Sequence, residues 1–427
     1  MKTLILNVLK KKFVRNVIMI VAGTAGAQAI AMIMSPIITR MYGPEAFGMM
    51  GTFSSIINIL VPIAALAYPI AIVLPKRDIN AKKIIELSLI ITVFNAILSL
   101  IILLFFNNSI VNLFNLKEIS NYMFLIPLVI LFGGFMQVSE QWLIRTKQFS
   151  INAKVTILQS AITNGSKVGI GFFYPVAAVL VVITAMANGL KATLMAILSK
   201  KSSYKEVENN VDEELKTTKQ LAKEHYDFPM YRAPEMFLNA TSNGLPVLML
   251  STFFGPAAAG FYSIGKTVLR LPAELIGKSV GDVFYPRIAE AANNKENLPL
   301  LIKKATLALA GVGILPYGLI IIFGPTIFSL VFGSDWAVAG EYARWIAIWS
   351  YVGFMNRPSV RSLPVLSAQR FHLIYTIIML ITRVLALAIG YYIFHSDLIA
   401  VALFGISGAI LNFGLITITL RIAKRYR

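Results

Sequence analysis

The sequence predicts an all-α integral membrane protein of about twelve transmembrane helices, arranged as two parallel six-helix lobes around a central cavity. Three observations carry this: apolarity throughout the chain, apolar runs of membrane-spanning length, and an internal repeat. Of 427 residues, 57% are hydrophobic and 14% charged, with mean hydropathy +0.73. A soluble domain carries about a quarter of its residues as charges. The apolar runs are about twenty residues long, enough for a helix to cross roughly 30 Å of hydrocarbon.

Taken in order, apolar runs between polar breaks place six spans at 17–38, 46–73, 84–106, 122–142, 155–173 and 176–198. The first follows Lys10, Lys11, Lys12 and Arg15, and is too long for the core of a cleaved signal peptide, so it is expected to be retained. A polar, Lys/Glu-rich stretch at 200–227 reads as a cytoplasmic linker. Six further spans follow at 229–254, 261–284, 305–332, 342–366, 373–394 and 398–420. The expected domains are an N-lobe (1–199), the linker (200–227) and a C-lobe (228–427).

The net charge of +19 could indicate nucleic acid, but its placement argues otherwise. Of the 39 Lys and Arg, 27 fall in the termini and alternate loops, as the cytoplasmic excess of positive charge requires. Both termini are therefore expected in the cytoplasm, with membrane lipid and not nucleic acid as the surroundings. No cysteine is present, and His225, His372 and His395 share no ligand spacing, so neither a metal site nor a cofactor is expected.

The segment Tyr42-Gly43-Pro44-Glu45-Ala46-Phe47-Gly48 recurs as Phe254-Gly255-Pro256-Ala257-Ala258-Ala259-Gly260, each copy lying between the first two spans of a half. Allowing small gaps, Leu74-Pro75-Lys76 then falls on Tyr285-Pro286-Arg287, and Lys147-Gln148-Phe149 on Gln369-Arg370-Phe371. One match is weak, since Gly-Pro favours turns anywhere; three in order mark a duplication. Six spans per half make the repeats parallel, an organisation that places transport sites between halves.

Several charges lie within the spans. Lys191, Arg232, Lys278, Glu140, Glu235 and Asp282 are close enough to cytoplasmic helix ends to snorkel to the interface. Lys167, Lys266, Arg270, Arg357 and Arg383 lie deeper, with Glu274 as the deep acid. Facing lipid, five such cations would cost roughly 12 to 18 kcal/mol, so a wet or charge-paired interior is expected. In the eighth span Lys266, Arg270, Glu274, Lys278 and Asp282 follow at four-residue steps, suited to ion pairs along a helix. The plain alternative is a self-neutralising ladder that fixes helix packing. A surplus of deep positive charge points to an anionic cargo, most simply phosphate or diphosphate. Gln28, Asn58, Asn164, Asn188, Asn239, Trp345 and Trp349 are available to meet saccharide groups, though such residues serve equally as helix contacts or interfacial anchors.

Gln28, Pro36, Thr39-Arg40, the Tyr42 to Gly48 segment, Tyr68 and Leu74-Pro75 resemble the polysaccharide-transporter branch of the multidrug/oligosaccharidyl-lipid/polysaccharide exporter superfamily. Tyr262, Leu269-Arg270-Leu271-Pro272, Ile276-Gly277 and Phe284-Tyr285-Pro286-Arg287 resemble the same branch more closely. The resemblance implies a flippase, not an enzyme, that moves a polyprenyl-diphosphate-linked oligosaccharide across a bacterial inner membrane by alternating access; the cargo would be an O-antigen or capsule repeat unit. Polysaccharide polymerase machinery is an implied partner. It further implies a cationic cavity, to which Lys266, Arg270 and Arg357 correspond in character, with Arg383 and Lys167 as the other deep cations. Glu274 or Asp282 could couple transport to H+ or Na+. A multidrug/cation antiporter of the same superfamily is the alternative; it needs a lone acid in the first lobe, and the first span contains none.

Overall fold

The computed structural model describes residues 2–200, 214–274 and 278–426, with the side chains of 2–18, 20, 200 and 278–283 outside the described set. The described residues contain no β-strand. Their helices are α1 (Lys2–Leu60), α2 (Asp78–Leu113), α3 (Ile126–Arg145), α4 (Phe149–Gly171), α5 (Ala177–Lys200), α6 (Thr218–Glu224), α7 (Ala233–Phe254), α8 (Pro256–Pro272), α9 (Lys278–Asn293), α10 (Leu298–Phe332), α11 (Ala337–Met355), α12 (Arg357–Ser362), α13 (Gln369–Tyr392) and α14 (Asp397–Arg425). Among the described residues, seven stretches are long and apolar enough to cross a membrane on those grounds alone. The helices outside that set include α4, α8 and α11, which carry Lys154 and Lys167, Lys266 and Arg270, and Glu341 and Arg344.

Two compact units divide the chain, Met1–Leu248 and Met249–Arg427, the division falling within α7. In the first, α1 packs against α4 and α5, and α3 packs against α2 and α5, around a core that includes Phe53, Leu116, Ile119, Met123 and Val129. In the second, α11 packs against α8, α10 and α14, and α14 also against α13. Gly324 and Gly340 let α10 and α11 approach so closely that an added Cβ on either would meet the other's backbone within 2.6 Å.

The repeat has a backbone counterpart. α1 is two helices joined at Gly43 (φ 70°, ψ 171°), and Gly255 joins α7 to α8 at nearly the same angles (φ 88°, ψ 176°). No atom lies within 4 Å of a Cβ built on either glycine, so conformation, not space, requires them: this region of φ/ψ is essentially closed to L side chains. Each is followed by a proline whose missing N–H costs nothing in the first turn of a helix.

Two of the expected spans, the second and the tenth, are discontinuous among the described residues. The second leaves the α-helix at Leu60, passes through 3-10 turns at Val61–Ile63 and Tyr68–Val73, and places Leu66 and Ala67 at positive φ. Pro62 and Pro69 withhold ladder donors there, and backbone freed inside a bilayer must find partners within the protein. It does: Gln137 Nε2 donates to Val61 O (2.5 Å) and Asn95 Nδ2 to Ala64 O (2.9 Å). Arg145 donates to the carbonyls of Ile72 (3.1 Å), Pro75 (2.6 Å) and Lys76 (3.2 Å), and its Nε to Asp78 Oδ1 (2.9 Å). In the eighth span α8 ends at Pro272, Ala273 and Glu274 continue as π-helix, 275–277 lie outside the described residues, and α9 begins at Lys278. In the tenth, α11 gives way to α12 at the buried Asn356, whose Nδ2 donates to Asn412 Oδ1 on α14 (3.0 Å).

Within the expected linker, 201–213 lie outside the described residues, while 214–224 are held against the first unit. Thr217 and Gln220 form a reciprocal capping box that starts α6. Leu221 is buried against Ala71, Ile72, Ala81, Ile84 and Val138. Tyr68 Oη donates to Ala222 O (3.1 Å), Asn80 Nδ2 to Glu214 O (2.9 Å) and Lys83 Nζ to Lys216 O (2.8 Å).

Candidate functional site

The second unit gathers most of the deep charges on and around α8. One side of that helix, with Ala258, Ala259, Tyr262, Ile264, Gly265 and Leu269, is buried in the unit. Lys266 is half-buried, while Thr267 and Arg270 are exposed. One turn beyond Arg270, Glu274 accepts a hydrogen bond from Arg270 Nε, the i, i+4 ion pair that the spacing suggested. The Arg270 side chain is nevertheless 69% exposed, so much of its guanidinium remains available.

Arg383, on α13, lies on the aromatic side of this cluster. Its Cζ is 4.7 Å from the centroid of the Trp349 ring of α11 and 5.8 Å from that of Phe404 of α14, a range in which a cation is held by the π face. Phe404 also meets Tyr262 edge-on, with ring centroids 6.0 Å apart. Lys266 is within electrostatic reach of both Arg270 and Arg383. Arg357 begins α12, directly after the break in the tenth span. It lies within electrostatic reach of Tyr317, whose hydroxyl donates to Leu269 O (3.4 Å) on α8.

The structure thus groups Lys266, Arg270, Glu274 and Arg383, with Arg357 within electrostatic reach of Tyr317. Lys167 belongs to the first unit, where its Nζ lies 3.6 Å from Met50 Sδ and its carbonyl accepts from Tyr42 Oη (2.7 Å). The side chains of Lys278 and Asp282 lie outside the described residues. Of the charges expected to snorkel, Lys191 pairs with Glu140 (2.5 Å) and Arg232 with Glu235 (2.8 Å). Tyr262 entered the sequence reading only through the family resemblance and Phe404 not at all, although Tyr262 stands one turn before Lys266 in the same four-residue series. Among the described residues no cluster of His, Cys, Asp or Glu could hold a metal ion.

Comparison with known proteins bears on the family and the fold. A family profile described as "Polysaccharide biosynthesis protein" matches residues 37–341. The "Inner membrane protein YghQ" of Escherichia coli (strain K12) is 35% identical over 100 residues, which are 23% of this chain and 27% of that protein. Among solved structures, an inward-facing multidrug resistance MATE family transporter of the MOP superfamily is similar, with a TM-score of 0.71 at 14% identity over 95% of this chain and 99% of that one. The lipid II flippase MurJ, in an inward closed conformation, is similar with a TM-score of 0.71 at 13% identity, over 96% of this chain and 90% of the other. At such identities the likeness is one of fold, and the family rests on the profile, which covers most of the chain: this multi-pass membrane protein belongs to the polysaccharide biosynthesis protein family and has the fold of the MOP transporters.

Proposed function

We propose that the protein is a flippase that carries a polyprenyl-diphosphate-linked oligosaccharide, such as an O-antigen or capsule repeat unit, across the bacterial inner membrane by alternating access. The observation that carries this reading is the excess of cations among the described residues of the second unit, where Lys266, Arg270 and Arg383 lie together beside one described acid, Glu274. Guanidinium and ammonium groups suit phosphate oxygens, whereas a cation-exporting site requires carboxylates. Membership of a polysaccharide biosynthesis family and a fold shared with a lipid II flippase support the same cargo class.

In this reading the diphosphate enters from the inner leaflet and is met by Arg270 and Lys266, with Arg357 and Lys167 as further cations and the prenyl chain left in lipid. Glu274 competes with phosphate for Arg270; its protonation frees the guanidinium, which offers a route for H+ coupling. Both termini are assigned to the cytoplasm by the distribution of Lys and Arg, and a polysaccharide polymerase is a natural partner for the product. The test is genetic: cells lacking the protein accumulate lipid-linked oligosaccharide on the inner leaflet, wild type relieves it, and Arg270→Ala relieves it poorly while inserting normally. Absence of accumulation would instead favour drug and ion exchange by an antiporter.

A further inference from the structure

Within the second unit, the turn from α9 into α10 and the last turn of α14 enclose a cavity of about 560 Å³. Its floor is apolar: Leu298 and Ala423, both buried, belong to one cluster that ties the two elements together. Lys295 and Lys424 also line it. Both are exposed, and among the described residues no carboxylate forms an ion pair with either. Glu296, the one acid among the described lining residues, is held by Arg287 through bonds of 3.0 and 2.6 Å, so its charge is already matched. The start of α10 has little left to give. The Asn297 side chain accepts from Leu300 N–H (3.0 Å), and Pro299 has no N–H. What the cavity leaves unmatched is a pair of ammonium groups over an apolar floor.

Position narrows the ligand. Both α10 and α14 are long and apolar enough to cross a membrane, and the cavity lies where α10 begins and α14 ends, at the boundary between hydrocarbon and water. Lys303, Lys304, Arg421 and Arg425 are exposed on the adjoining turns, which gives this end a cationic rim. Tyr426, also in the lining, carries an amphipathic ring of the kind that settles at headgroup level. The volume falls within the range of organic-ligand sites and exceeds what a bare phosphate fills. A phosphodiester with a glycerol arm suits all of this: its anionic oxygens meet the lysines, while glycerol and the first methylenes cover Leu298 and Ala423. A choline or ethanolamine headgroup would bring a third cation against the lysines, whereas basic pockets between membrane helices take net-anionic headgroups. We infer that this cavity holds the headgroup of an anionic phospholipid of the phosphatidylglycerol class, with Lys295 and Lys424 binding its phosphate. The site shares no residue with the group around Lys266, Arg270 and Arg383 and does not depend on the cargo's identity. A lipid seated there bridges the α9–α10 turn and the end of α14.

The test uses the full-length protein, delipidated in a neutral detergent, with phosphatidylglycerol or phosphatidylcholine added in mixed micelles at constant ionic strength. The melting temperature is expected to rise saturably with phosphatidylglycerol and to change little with phosphatidylcholine. Lys295→Gln combined with Lys424→Gln is expected to weaken the phosphatidylglycerol response about thirtyfold, at about fivefold for each lysine near a lipid surface. Lys303→Gln combined with Lys304→Gln removes the same charge from a neighbouring turn outside the cavity and is expected to lose much less. Equal losses in the two double variants would overturn the inference, since a diffuse basic surface would then be binding the lipid. So would a wild-type response in the first double variant, or equal shifts with the two lipids. Glycerol 3-phosphate is the soluble comparison: a saturable shift at the same concentrations that depends on Lys295 and Lys424 would assign the cavity to a soluble phosphate ester and overturn the lipid. Failure of the flippase reading would show separately, in the cellular accumulation assay.

Discussion

At the level of single residues, four-residue spacing in an apolar helix was informative because both partners lay on one element: Arg270 and Glu274 could be paired on paper, and the structure pairs them. Tyr262 and Phe404 were not legible, since aromatic residues abound in apolar spans and only packing between α8 and α14 makes these two neighbours. A second ion pair, between Arg287 and Glu296, also escaped notice because it closes the turn between α9 and α10. Its two bonds measure 3.0 and 2.6 Å. The guanidinium holds the Glu296 carboxyl below the ordinary carboxylate range. A depressed native pKa contributes stability that is complete above the unfolded value and is lost as pH falls through the native one. Glu296→Gln should therefore melt below wild type at neutral pH, and the two should converge in acid; a gap that persists in acid would mean that the pair is not its source.

At the level of elements, apolar runs located the spans but not their interruptions. The second span reads as continuous because hydropathy averages over a window, in which Pro62 and Pro69 are outweighed by their apolar neighbours. What makes an interruption tolerable is distant in sequence: Asn95, Gln137 and Arg145 satisfy the carbonyls of 61–76 from α2 and α3. Arg145 and Asp78 are both nearly buried, with side chains 9% and 6% exposed. Removing one member of such a pair costs about 3 to 5 kcal/mol, because the other is left charged and unmatched. Arg145→Met is expected to destabilise the protein by about that much, and the double variant Arg145→Met with Asp78→Leu to recover part of the loss. Denaturant unfolding in detergent measures both, and equal stability of the two variants would count against the pairing.

At the level of the whole molecule, the duplicated plan was legible from three matched segments in order, and the matching backbone angles at Gly43 and Gly255 agree with the first of them. The expected linker was legible only in part, since its composition is polar but α6 buries Leu221 against the first unit. Sidedness follows from loop charge and can be read directly, because the chain has no native cysteine. Asn115, exposed in the turn after α2, and Lys223, exposed on α6, are suitable reporters. Asn115→Cys should react with a membrane-impermeant maleimide in intact spheroplasts, and Lys223→Cys only after permeabilisation. The reverse pattern would invert the topology.

The guanidinium of Arg145 has a consequence for how this sequence can drift. It serves three carbonyls and a carboxylate at once, with a planar set of donors that fan out in fixed directions. An ammonium carries the same charge but offers three donors from a single point. At singly paired surface positions lysine and arginine can replace one another at little cost; at position 145 that ordinary neutral exchange is closed, and related sequences that keep the broken second span should keep arginine there.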